Sequence, residues 1–193
     1  MAVLGVVWMA VPFTLFPIAE QAIPSALAGM INGATPLFTA ALAMAWYRRS
    51  PGSRLLVGLG VGFVGVIVLN IPAADGVASL GGIGMILLAT VFYGVAFNLA
   101  GPLENRNGSL PVIWRAQLVG LVVSTPTGLV GLAGSTPTVG SMTAMAALGI
   151  LSTGVGFVLF TYVLGRVGAA KASVTSYLMP IVSIVLGAGL AAE

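Results

Sequence analysis

Apolar stretches of about twenty residues recur from one end of this chain to the other, separated by short polar breaks. A helix rising about 1.5 Å per residue needs about that length to cross the hydrocarbon core of a bilayer. Only 6% of the 193 residues are charged. An average soluble domain carries about 25%. Seven cations and four acids could not clothe a soluble surface. Lipid offers backbone N–H and C=O groups no partner, so a spanning segment is a helix or part of a closed barrel. Barrel strands alternate polar and apolar residues; these stretches do not. The chain therefore reads as an all-α, polytopic transmembrane helix bundle.

Spans are predicted at about 3–19, 23–46, 55–71, 81–101, 110–132, 143–164 and 169–191, in a single membrane domain over 1–193. Turn-forming residues mark the breaks: Glu20-Gln21, Arg48 to Ser53, Pro72 to Gly76, Glu104 to Gly108, Ser135 to Thr138 and Gly165 to Gly168. The first span does not read as a cleaved leader, for it lacks a positive flank and holds Trp8, Pro12 and Pro17.

Successive spans alternate direction, so the charges sort by side. Arg48, Arg49, Arg54, Arg106, Arg166 and Lys171 fall on the side of the N-terminus, with Arg115 just inside the fifth span. Glu20, Asp75 and Glu193 fall on the other, which holds no cation. By the positive-inside rule the loops 47–54, 102–109 and 165–171 are cytoplasmic and the protein lies in the cell membrane.

The inventory also excludes chemistry. With no Cys and no His there is no thiol nucleophile, no Ser–His pair and no zinc site, so no enzyme, metal or cofactor is indicated. No acid lies mid-span, and no Gly-Lys-Ser/Thr follows a glycine cluster, so a drive from ATP hydrolysis is not indicated. The net charge of +3 is spread over short loops rather than clustered on one face, which excludes nucleic acid as a partner.

The chain matches itself at a shift of about 144 residues. Leu4-Gly5 falls on Leu148-Gly149, Phe13, Leu15 and Phe16 on Phe157, Leu159 and Phe160, and Pro36 on Pro180. The shift moves the first two spans onto the last two. Five spans is an odd step, so the copies are predicted to be inverted, with about 3–71 closing the first copy and about 81–193 forming most of the second. Inverted repeats are a signature of secondary transporters, which bind substrate near the midplane where the repeats meet.

Three runs carry a wider likeness: Ala19 to Ala28, with Glu20, Pro24 and Ser25; Asn32-Gly33-Ala34-Thr35-Pro36-Leu37-Phe38; and Gly58 to Val66, with Gly60, Gly62 and Gly65. Gly165 to Ala170 and Tyr177-Leu178-Met179-Pro180 repeat the theme. In these the chain resembles EamA-type members of the drug/metabolite transporter superfamily over essentially its whole length. The resemblance implies ten spans in two inverted halves of five, with the present chain a truncated version holding the third to the ninth. It also implies a Gly-Glu pair after the fourth and ninth spans. Glu193 stands at the second, and Arg48-Arg49 replaces the first.

Prolines locate the candidate site. A proline inside a helix leaves the carbonyl four residues earlier without its N–H donor. Pro36 and Pro180 thereby free the carbonyls of Asn32 and Ser176, both polar residues near mid-span, with Thr35, Thr175 and Tyr177 beside them. Pro12 frees Trp8; its repeat-matched position is Gly156, opposite Ser152. Tyr93 and Asn98 lie inside the fourth span. Two readings stand. These residues line a substrate cavity, with Pro12, Pro36, Gly156 and Pro180 as hinges, or the prolines only kink helices whose hydroxyls bond their own backbone. Gly58, Gly62 and Gly65 serve helix packing, within the chain or between two copies in a homodimer. Arg115 snorkels to the interface.

Two functions follow. The first is a secondary transporter, an exporter of small organic metabolites or drugs working by alternating access. The second is a truncated bundle that only assembles with a partner. Orientation is testable directly: a cytoplasm-only fluorescent reporter fused after Gly52 should glow, and one fused after Gly76 should stay dark. The reverse pattern would overturn the assigned topology.

Overall fold

The computed structural model describes residues 1–48, 52–70, 79–132 and 135–178. All secondary structure among them is helical: α1 Ala2–Ala19, α2 Ser25–Asn32, α3 Thr35–Tyr47, α4 Ser53–Asn70, α5 Leu80–Asn107, α6 Ser109–Leu132, α7 Val139–Val167 and α8 Ala169–Ala172, which tightens into a 3-10 turn, Ser173–Leu178. Four helical runs, Ala2–Ala19, Leu27–Tyr47, Leu80–Asn107 and Val139–Val167, are long and apolar enough to cross a membrane. Ser53–Val68 is a shorter apolar helix. Helix α6 has the length, 24 residues, but carries Arg115 and Gln117 in its first half. Most of the predicted seventh span, Pro180 and Glu193 included, lies outside the described residues, as do Asp75 and Arg49.

Helix α5 is the central post. It packs against α1, α2, α3, α6 and α7, and the main buried cluster gathers Ala96, Phe97 and Ala100 of α5 with Leu4 and Trp8 of α1, Ile113 of α6 and Leu164 of α7. Lipid tails are as apolar as leucine, so helices in a bilayer are held by close backbone approach and interhelical hydrogen bonds rather than by expulsion of water. Small residues make that approach. A Cβ at Gly94 would lie 3.1 Å from the Thr39 backbone nitrogen, and one at Gly5 only 2.7 Å from the Ala116 carbonyl.

Three expectations change here. The loop predicted at 102–109 is mostly helix: α5 continues to Asn107 and turns only at Gly108, whose φ of +78° suits a residue without a side chain. Its polar last turn is the end of the span rather than a break in it. The span predicted at 23–46 is interrupted at Gly33-Ala34, because Pro36 cannot supply the N–H that would carry α2 into α3. Of the predicted packing glycines, Gly62 alone is packed, against the Tyr177 ring; a Cβ at Gly58 or Gly65 would meet nothing within 4 Å among the described residues. Packing glycines inside this bundle include Gly5, Gly82, Gly94 and Gly120, the last set against Met9.

This difference is measurable by thermal unfolding in detergent. Gly5→Ala should cost about 1–3 kcal/mol through overpacking against α6. In the detergent-solubilised monomer Gly58→Ala should be neutral or stabilising by up to about 1 kcal/mol, since alanine is the better helix former. Equal losses at the two positions would contradict the assignment.

Candidate functional site

The break between α2 and α3 builds the first wall. The Asn32 carbonyl, which Pro36 cannot serve, ends α2, and Thr35 Oγ1 donates to Asn32 Oδ1 at 3.1 Å. Thr39 Oγ1 donates to the Thr35 carbonyl at 2.8 Å, fixing the first turn of α3. The side-chain amide nitrogen of Asn32 has no acceptor among the described residues, so it remains a donor for a ligand.

The second and third walls come from bulged helices. Helix α1 runs in π register over Val6–Ala10, the Val11 N–H reaching back five residues to the Val6 carbonyl immediately before Pro12. A π segment widens the helix by one residue per turn and is frequent at functional sites. It turns the buried Trp8 toward α5 and α7. Helix α7 carries a longer π segment, Leu148–Gly156, which presents Ser152 and Gly156. Gln117 Nε2 of α6 donates to the Thr153 carbonyl inside it, meeting part of the hydrogen-bond demand of that backbone. Shifted by about 144 residues, Val6–Ala10 falls within the second π segment.

Helix α5 supplies Tyr93 and Phe97, and the 3-10 turn supplies Thr175 and Ser176. Together these surfaces enclose a cavity of about 360 Å³, a size typical of small-molecule sites. Its lining includes Trp8, Asn32, Thr35, Tyr93, Ser152, Thr175 and Ser176, with the predicted hinge Gly156 on the wall. Ser152 and Ser176 form no side-chain hydrogen bond among the described residues; Thr175 Oγ1 donates to the Ala172 carbonyl at 2.8 Å. No group of three or more His, Cys, Asp or Glu side chains able to hold a metal occurs among the described residues.

Two predicted site residues stand elsewhere. Tyr177 turns away: its hydroxyl donates to the Leu59 carbonyl at 2.9 Å and its ring fills the space above Gly62, where it ties the 3-10 turn to α4. Asn98, one residue past Phe97 on the helix, lies toward the end where the basic residues cluster. Its Nδ2 donates to the Thr39 carbonyl at 3.0 Å and to the Gly94 carbonyl at 2.9 Å, clamping α5 to α3. Pro12 and Pro36 are buried beside the cavity; Pro180 lies outside the described residues.

Two features escaped the sequence reading. Phe97, Phe157 and Phe160 join Trp8 and Tyr93 in an aromatic floor, with Phe97 and Phe160 edge to face at 4.7 Å and Trp8 and Phe157 at 5.4 Å. The repeat match of Phe13 and Phe16 to Phe157 and Phe160 was the available signal. The other is Pro102. It frees the Asn98 carbonyl, and Tyr47 repairs the loss by donating its hydroxyl there at 3.1 Å.

The family follows from comparison. The chain matches the EamA-like transporter family over residues 1–71 and 80–193. It belongs to that family. A transporter from Archaeoglobus fulgidus, itself uncharacterized, is 26% identical over 98% of this chain and 68% of its own length. The uncharacterized transporter YdfC of Bacillus subtilis is 25% identical over 95% of this chain and 60% of its own. The uncharacterized inner membrane transporter YedA of Escherichia coli is 27% identical over all of this chain and 63% of its own. The chain thus spans about three fifths to two thirds of the length of these relatives. No solved structure matches it. This EamA-like chain is a multi-pass membrane protein of a transporter family.

The Tyr47–Pro102 repair can be tested by a double-mutant cycle. Tyr47→Phe should cost about 1–3 kcal/mol by leaving a carbonyl without a donor. In a Pro102→Ala background the backbone N–H returns, and the same change should cost less than half as much. An identical cost in both backgrounds would show that the hydroxyl serves something else.

Proposed function

We propose that this EamA-like protein is a secondary transporter that exports small organic metabolites or drugs by alternating access about the midplane cavity. One observation carries the reading: a broken helix (α2–α3) and two π-bulged helices (α1 and α7) converge on one polar and aromatic space. Irregular backbone at membrane depth is tolerated where it is buried in protein or lines a cavity. Discontinuous helices at a midplane site are a recurring device of transporters. The floor of Trp8, Tyr93 and three phenylalanines suits a partly apolar solute, and Asn32, Ser152 and Ser176 offer hydrogen bonds to its polar groups.

An inverted repeat fits this reading. In our account the two halves rock against each other, hinged where each copy departs from α geometry, at Pro12, at the gap before Pro36 and at Gly156. The matched register of the two π segments supports that pairing. The protein then lies in the cytoplasmic membrane with its basic loops inside. Gly58 and Gly65, on a face without described neighbours, are offered as the contact in a homodimer.

The second reading, a bundle that assembles with a partner without transporting, draws on α7. That helix is exposed along its first half, with Val139, Met142, Met145 and Leu148 uncovered.

Transport is tested in bacterial cells lacking their own exporters, loaded with a panel of labelled amino acids, nucleobases and organic cations. Expression of this protein should speed efflux of at least one class. Asn32→Ala and Ser176→Ala should each lower that efflux about tenfold, a loss of about 1.4 kcal/mol, with unchanged protein in the membrane. Efflux unaffected by both changes would shift the function away from this cavity; no efflux of any class would favour the assembly reading.

A further inference from the structure

A second cavity, of about 380 Å³, lies toward the basic end of the bundle. Its walls come from the last turns of α3 and α5 and the junction of α7 with α8, including Ala43, Tyr47, Asn98, Asn105 and Lys171. Phe97 lines this cavity and the midplane one alike. Its ring is held by Phe160 at 4.7 Å, Trp8 at 5.6 Å and Tyr93 at 6.0 Å. A single phenyl ring, braced by three other aromatic rings, therefore lines both spaces.

The polar groups of this cavity are only partly matched. Asn98 is 2% exposed, and its Oδ1 has no hydrogen-bond partner among the described residues. Turning the amide over would not help, because oxygen would then face the Thr39 and Gly94 carbonyls that Nδ2 now serves. A buried acceptor without a donor is costly, and with almost no accessible surface this one is closed to a ligand. Lys171 is the one charged residue on the described wall. The Glu104 carboxylate stands behind the wall, with Oε1 accepting from Ser109 Oγ at 3.1 Å and Oε2 set against Gly165. The Arg166 guanidinium lies over the Tyr162 ring, 4.9 Å from its centre. Lys171 is thus the charge that lines the space, with the Glu104 carboxylate set behind Gly165.

We propose that this cavity is a second ligand station. It takes a small organic anion whose charge meets Lys171, with the Phe97 ring as the partition between this station and the other cavity. The order of passage rests on the transport reading; the site, its charge preference and its partition do not. Thiol labelling reads them without any flux, so a protein that fails to transport can still show the station, and one that transports can lack it.

The chain has no cysteine, so single thiols can be placed cleanly. Ala43→Cys reports on the basic-end cavity and Asn32→Cys on the midplane one. Vesicles presenting the basic end outward are treated with two impermeant methanethiosulfonates of similar size, one anionic (sulfonatoethyl) and one cationic (trimethylammonioethyl). Rates are normalised to a free thiol. Ala43→Cys should favour the anionic reagent about tenfold, and Lys171→Gln should abolish the preference. Asn32→Cys should be protected from this side, should stay protected in Phe97→Leu, and should label about tenfold faster in Phe97→Ala. An Ala43→Cys thiol that is unreactive, or whose charge preference survives Lys171→Gln, would overturn the station. Asn32→Cys labelling equally with Phe97 intact and removed would overturn the partition.

Discussion

Inside a bilayer the backbone must find its hydrogen-bond partners within the protein, and this constraint shapes every irregular feature of the bundle. Where prolines remove N–H groups, the chain answers in three different ways. Before Pro12 it slips into π register. Before Pro36 it breaks the helix outright and sets Asn32 and Thr35 across the gap. Before Pro102 it keeps the helix and borrows the Tyr47 hydroxyl from a neighbouring helix. The first two answers open the midplane cavity. The third ties α3 to α5 beside Asn98, whose amide makes a further link to the Thr39 carbonyl.

The central helix makes those departures tolerable. Helix α5 presents Gly82, Ala89, Gly94, Ala96, Ala100 and Gly101 along its length, so neighbouring backbones come close enough for dispersion contacts to hold them. Against this rigid post, α1, α3 and α7 can each carry a weak point at one depth without the bundle losing register.

Much of this was legible in the sequence, for identifiable reasons. Bilayer thickness fixes span length, so the helical architecture could be read from hydropathy. Proline chemistry is local, so Asn32, Trp8 and Pro36 could be named without a fold. Other features depended on contacts that no local rule encodes. Tyr177 follows two cavity residues in sequence, but the 3-10 turn rotates successive side chains by a third of a circle and sends its ring onto Gly62. Asn98 looked like a ligand group because an amide in a span needs partners; it found them in two carbonyls. Gly58 and Gly65 fit a packing motif, but the motif cannot say which face meets a neighbour. Phe97 was invisible because a phenylalanine in an apolar span carries no signal until its neighbours are known.

The central claim is that α2–α3 and the bulged part of α7, far apart in sequence, face each other across one cavity. Cross-linking tests it most directly. Asn32→Cys and Ser152→Cys, placed together in the otherwise cysteine-free chain, should be joined in membranes by a short bifunctional methanethiosulfonate. Val61→Cys with Ser152→Cys, which places one thiol on the outer face of α4, should not be joined. A cross-link at the first pair alone is what the account predicts. No cross-link there, or equal yields from both pairs, would contradict it.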